Sequence, residues 1–196
     1  AGDGRNVVIG GFGSDTVTTG EDDDVVFGDN GRITYGSPFP AQLITTDTDA
    51  STGGDDAIDA GGGDNVVFGG VGNDGLTAGH GRDLLLGDVG EVRFAGGMIQ
   101  DVESTENGPG GMDTIDGGEG DNAVLGGGGD DQMTVGSGND TVLGDNGKIL
   151  FAGGFMTEIA ASDAGTGGDD HIDAQGGDDI ILGGGGNDTI EAGEGE

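Results

Sequence analysis

Apolar side chains in this chain recur once every nine residues. From Gly108 onward the segments GPGGMDTID, GGEGDNAVL, GGGGDDQMT and VGSGNDTVL fall into one register. Their eighth position is apolar (Ile115, Val124, Met133, Val142) and their sixth is Asp or Asn (Asp113, Asn122, Asp131, Asp140). Their fourth is Gly (Gly111, Gly120, Gly129, Gly138). The register runs through 14 complete nines, with position eight apolar and position six Asp or Asn in every one; Asp22 alone breaks the run of Gly at position four. The three residues after the acid alternate out, in, out, as in a very short strand. The Gly-rich remainder permits the positive φ and close backbone approach of tight turns. With one inward side chain per nine, two consecutive nines form one flattened turn. The pattern therefore predicts an all-β chain, a parallel β-roll or β-solenoid of nonapeptide half-turns with 18 residues per turn.

The outward position nine tests that period. On alternate nines it reads Ile9, Phe27, Phe68, Leu86, Leu125, Leu143 and Leu182; on the others it reads Thr18, Asp59, Thr77, Asp116, Thr134, Asp173 and Glu191. One sheet is thus expected to be wet outside, and the other to carry an apolar outer stripe. A second period lies over the first, since Gly53, Gly110 and Gly167 open equivalent arrays 57 residues apart. This divides a single solenoid segment, 1–196, into arrays 1–52, 53–109, 110–166 and 167–196, the first and last partial. The first three arrays close on GDNGRITY, GDVGEVRF and GDNGKILF, where Ile33, Val92 and Ile149 replace the acid and Tyr35, Phe94 and Phe151 take the inward place. There the row of acids is expected to stop on that side and the core to widen. The irregular stretch after each block could be an odd half-turn or a hairpin. KILF-AGG-FMTEI, two short strand-like runs around a Gly-rich turn, favours the hairpin. Either could cover the apolar stripe, and so could another molecule.

Composition sharpens the picture. The chain holds 51 Gly, 39 acids against 5 bases and a formal charge of −34, which on its own is the signature of disorder. A disordered acidic tract has no reason to keep its carboxylates in register, so a fold completed by cations is the better reading. Acids stacked about 4.8 Å apart on neighbouring turns repel unless a cation lies between them. The charge also excludes nucleic acid and anionic membranes as partners. No stretch is long and apolar enough for a transmembrane helix, and zero cysteines rule out disulfides and thiolate metal sites. The chain begins and ends inside a repeat, so a segment of a longer protein is expected. His80 and His171 fall in a turn and on the wet face, and no serine has a recurring His/Asp partner. The pattern contains no active site and is not expected to be an enzyme.

The nines resemble the RTX (repeats-in-toxin) hemolysin-type calcium-binding repeat, G-G-x-G-x-D-x-U-x. GGFGSDTVT, GGVGNDGLT and GGGGNDTIE agree with it at every fixed position. The resemblance covers all but the three irregular stretches. It implies a parallel β-roll holding multiple Ca²⁺ ions between stacked turns, ligated by the position-six side chain and loop carbonyls. The chemistry agrees, because hard Ca²⁺ takes six to eight oxygens of these kinds. The metal-ligand candidates are Asn6, Asp15, Asp24, Asp56, Asn65, Asp74, Asp83, Asp113, Asn122, Asp131, Asp140, Asp170, Asp179 and Asp188. Best placed are the pairs 6/24, 56/74, 65/83, 113/131, 122/140 and 170/188, each 18 apart. Asn6, Asn65 and Asn122 depart from the family Asp and bring less charge. The position-five acids, among them Asp55, Asp64 and Asp121, read as outer-shell or solvated charge.

The family is exported, typically by type I secretion, and folds on meeting extracellular calcium. The expected function is an extracellular or cell-surface structural module of a large adhesin, filament or matrix protein. The alternative is the secretion and folding module of a type I-exported enzyme or toxin. The stripe of Phe27, Phe68, Leu86, Leu125, Leu143 and Leu182 is the expected surface for copies of the chain to meet.

Overall fold

A computed structural model describes residues 1–49, 51–105, 110–162 and 167–195. All regular elements in it are strands. The first array gives β1 (Val7–Ile9), β2 (Thr16–Thr18) and β3 (Val25–Phe27), then β4 (Gly31–Tyr35) and β5 (Pro40–Thr45). The second gives β6 (Ala57–Asp59), β7 (Val66–Phe68), β8 (Gly75–Thr77) and β9 (Leu84–Leu86), then β10 (Gly90–Ala95) and β11 (Met98–Ser104). The third gives β12 (Thr114–Asp116), β13 (Ala123–Gly127), β14 (Gln132–Thr134) and β15 (Thr141–Asp145), then β16 (Gly147–Ala152) and β17 (Phe155–Ala161). The last gives β18 (His171–Asp173), β19 (Ile180–Leu182) and β20 (Thr189–Glu191). The expected array boundaries at 109/110 and 166/167 fall at or beside residues outside this description.

Consecutive nines land on opposite walls. Seven strands, β1-β3-β7-β9-β13-β15-β19, form one parallel sheet, and β2-β6-β8-β12-β14-β18-β20 form the other. Pairing is in step: Val8 lies beside Val26, Val67 beside Leu85, and Ile115 beside Met133. The position-eight side chains meet between the walls in a core that includes Val26, Val67, Leu76, Leu85, Ile115, Val124, Met133, Val142 and Ile172. Six spacings between seven strands make the solenoid about 29 Å long. From the second array onward the turns stack so closely that position four has no room for a side chain. Gly120 sits at φ 115°, and a Cβ there would lie 1.8 Å from the Gly81 carbonyl oxygen.

The irregular stretches are hairpins, and the three hairpins join into one sheet. Gly96-Gly97 (φ 62° and 84°) and Gly153-Gly154 (φ 62° and 82°) supply the paired positive φ values that close a two-residue hairpin turn. The hairpins then pair with one another in the order β17-β16-β11-β10-β5-β4, antiparallel throughout. One row of directly opposed residues crosses all six strands: Ile33, Leu43, Val92, Val102, Ile149, Ile159. That row packs on Phe27, Phe68, Leu86, Leu125 and Leu143, forming a second core outside the first wall. Phe27 and Phe68 stack with ring centroids 4.6 Å apart. The molecule is three layers: an open wall, a covered wall and a hairpin sheet.

This arrangement corrects two expectations. The apolar stripe is not a free surface, because Phe27, Phe68, Leu86, Leu125 and Leu143 are buried and Leu182 half-buried beneath the chain's own hairpins. The aromatic residues of the closing blocks do not widen the solenoid core. The chain has already left the wall at Gly31, Gly90 and Gly147, and a bulge before Tyr35, Phe94 and Phe151 breaks the alternation in each hairpin. Tyr35 is 64% exposed, while Phe94 and Phe151 lie at the margin of the second core.

Charge divides along the same line. Residues 31–45, 90–104 and 147–161 hold three bases (Arg32, Arg93, Lys148) and four acids (Glu91, Asp101, Glu103, Glu158), a net of −1 out of −34. Arg93 bridges Glu91 (2.6 Å) and Asp101 (2.8 Å), and Lys148 reaches Asp101 at 3.2 Å. The hairpin sheet is thus held by apolar burial and its own ion pairs. The uncompensated charge belongs to the solenoid turns.

Candidate metal centre

Each position-six residue ends a Gly-rich turn and immediately precedes a strand, so its side chain lies at the corner where turn meets wall. Stacking the turns stacks these corners into two rows of rungs. The row leading into the covered wall is Asn6, Asp24, Asn65, Asp83, Asn122, Asp140, Asp179. In it the backbone N–H of each rung donates to the side-chain Oδ1 of the next, at 2.6–2.9 Å. The row leading into the open wall is Asp15, Asp56, Asp74, Asp113, Asp131, Asp170, Asp188, with the same bond at 2.7–3.1 Å. All 14 candidate residues therefore stand in one of two continuous rows. Rungs are 18 residues apart inside an array and 39 or 41 apart across a hairpin. The rows were expected to stop at Ile33, Val92 and Ile149, and they do not. Those residues lie in the hairpin sheet, and Asp24 bonds directly to Asn65, Asp83 to Asn122 and Asp140 to Asp179.

Beyond the first rung of each row, one side-chain oxygen per residue is used in this way. The other, Oδ2, is buried without a hydrogen-bond partner at Asp15, Asp24, Asp56, Asp74, Asp83, Asp113, Asp131, Asp140, Asp170 and Asp179. Buried polar atoms are otherwise almost always paired, so a recurring orphan marks a missing partner. Burial pushes the carboxyls up: Asp131 to about 9, Asp74 to about 8, Asp113 to about 7, and Asp56, Asp83, Asp140 and Asp170 to about 6. Neighbouring carboxylates raise Asp131 and Asp74 further, while the rung N–H bonds pull the other way. The rows are poised for positive charge.

The orphan oxygens share a gap with loop carbonyls. A Cβ on Gly87 would lie 2.1 Å from Asp113 Oδ2 and 2.4 Å from the Gly126 carbonyl oxygen. On Gly144 it would meet Asp170 Oδ2 at 2.2 Å and Gly183 O at 2.3 Å. Only Gly leaves that space open. Among the described residues no three acidic or imidazole side chains converge on one point. A cation here would take one or two carboxylates and complete its shell with loop carbonyls, a hard all-oxygen set that suits Ca²⁺.

Three further acids escaped the pattern reading. Asp29, Asp88 and Asp145 are buried at the hairpin bases. Asp88 accepts the N–H of Gly111 (3.2 Å) and of Gly128 (2.6 Å); Asp145 accepts those of Gly168 (3.0 Å) and Gly185; Asp29 accepts that of Val71 (2.7 Å). Each ties a hairpin to the turns of the array that follows. The signal was legible: an acid at position two closes every one of the first three arrays and occurs there in none of the 14 regular nines. The position-five acids are exposed, yet not merely solvated, since Asp55, Asp64 and Asp121 accept the N–H of Asn73, Arg82 and Asn139 on the next turn.

Comparison with curated proteins and with solved structures finds no match. The RTX calcium-binding nonapeptide repeat matches in four copies, at residues 1–32, 51–85, 108–142 and 164–196. The matched spans are the solenoid turns, and most of each hairpin lies between them. Together they cover well over half of the chain, which belongs to the RTX calcium-binding nonapeptide repeat family.

Proposed function

We propose that this chain is a calcium-stabilised structural module working outside the cell, as a section of a large surface adhesin, filament or matrix protein. The observation that carries the reading is the pair of continuous rows of position-six side chains, in which ten aspartates each bury one unpartnered oxygen. Without cations such rows oppose compaction, so the chain would be exported unfolded and fold at the millimolar Ca²⁺ of extracellular sites. The 18-residue turn and the 57-residue spacing of hairpins serve as the unit of an extensible rod, each array advancing it about 10 Å. The reading assigns the chain no catalytic chemistry. It also leaves the covered stripe out of any assembly. Far-UV circular dichroism and small-angle scattering during a Ca²⁺ titration test it. The expected result is an extended coil in chelator that becomes a compact β-rich rod by a few millimolar Ca²⁺; a chain that stays a coil, or is already a rod in chelator at neutral pH, sinks it.

A further inference from the structure

The row leading into the covered wall differs from its partner row in chemistry. It alternates Asn6, Asp24, Asn65, Asp83, Asn122, Asp140, and then carries Asp179, 57 residues after Asn122, where the alternation calls for another amide. The amide orientation is set by the row itself. Asn65 Oδ1 accepts the N–H of Asp24 at 2.9 Å and Asn122 Oδ1 that of Asp83 at 2.9 Å, a role the –NH₂ cannot fill. Nδ2 is therefore left where a carboxylate would hold its second oxygen. There it donates to loop carbonyls: Asn65 to Gly63 at 3.1 Å, and Asn122 to Gly120 at 3.0 Å and Gly118 at 3.3 Å. At the equivalent place in the next array, Asp179 leaves Oδ2 buried and unpartnered.

We infer that Asn65 and Asn122 are cation-free rungs, in which the side-chain amide donates to the carbonyls that a calcium ion would otherwise take. The inference rests on the reading that the carboxylate rungs hold Ca²⁺. In the second array it leaves cations at Asp56, Asp74 and Asp83, and in the third at Asp113, Asp131 and Asp140. The wall that needs fewer ions is the one clamped by the hairpin sheet, where a second apolar core supplies cohesion. Solenoid assembly on that side is thereby less dependent on calcium than on the open wall.

The test counts ions on the full chain. Calcium per molecule is measured by native mass spectrometry for the wild type and for Asn65→Asp, Asn122→Asp, Asn122→Ala and Asp179→Asn, with folding followed by circular dichroism. Each Asn→Asp variant should gain one ion and need more Ca²⁺ to fold, Asp179→Asn should lose one, and Asn122→Ala should keep the wild-type count. An unchanged count in both Asn122→Asp and Asp179→Asn, or an ion lost from Asn122→Ala, overturns the inference while leaving the calcium reading intact. A wild type that binds no calcium overturns both. If Asn122→Asp fails to fold, Asp179→Asn decides alone, since it replaces a buried charge by the amide already tolerated at three rungs.

Discussion

Acid should substitute for calcium. In the calcium-free chain the buried rungs titrate far above the usual carboxylate range, with Asp131 raised from 3.8 to about 9 and Asp74 to about 8. A group whose pKa is raised on folding contributes stability that is complete below its unfolded value and is lost as pH climbs through its folded value. At pH 8 the shift at Asp131 costs folding about 6 kcal/mol, from about 1.36 kcal/mol per pH unit between 3.8 and 8, because the fold keeps a proton that the unfolded chain has released. A whole domain is stable by only about 5–15 kcal/mol, and Asp74, Asp88 and Asp113 add to the same side. The calcium-free chain should therefore be β-rich near pH 4 and lose stability as pH climbs above that, the loss being complete by about 6 for Asp56, Asp83, Asp140 and Asp170 and by about 9 for Asp131. With millimolar Ca²⁺ the same chain should stay folded at pH 8. Far-UV circular dichroism on decalcified protein at low concentration reads the outcome. A chain that is coil at pH 4, or folded at pH 8 without calcium, refutes the claim that buried like charge is what calcium relieves.

Three substitutions probe the other parts of the argument. Ile149→Asp restores the family residue at a closing block, but Ile149 is fully buried between Val102 and Ile159 in the hairpin sheet. It should therefore add no ion and lower the melting temperature in calcium, since a buried unpaired carboxyl costs several kcal/mol; a gained ion with retained stability would mean the hairpin packing is wrong. Phe68→Ala removes a fully buried ring stacked on Phe27. By urea denaturation in calcium it should cost about 3–5 kcal/mol, and a loss under about 1 kcal/mol would show the stripe to be poorly covered. Gly126→Ala places a Cβ 2.2 Å from Gly144 O and 2.4 Å from Asp131 Oδ2. The calcium midpoint of folding should rise, with about 1–3 kcal/mol lost to overpacking, and an unmoved midpoint would separate that gap from the ion.

The sequence by itself determined the parts of this protein that depend on neighbours in the chain. One apolar residue per nine, with Gly at position four and an acid at position six, dictates strand, turn and inward side chain locally, because each follows from the period and from backbone sterics. The alternation of Phe27 and Leu125 with Thr18 and Asp116 on the outward positions likewise makes the two walls chemically different in the sequence alone. The hairpins were legible in KILF-AGG-FMTEI, but their joining into a single third layer was not. Ile33, Val92 and Ile149 looked like breaks in a row of acids because pattern reading assumes that the chain stays on the solenoid. Only the tertiary structure shows that it leaves at Gly31, Gly90 and Gly147, and that three separate hairpins pair across 49 residues or so, as Gln42 does with Glu91. Neither that pairing nor the continuity of the rungs across each hairpin has a local cause. Both depend on apolar side chains far apart in sequence burying one another, so the stripe, which by sequence could be covered by the chain's own hairpins or by another molecule, became the floor of a second core.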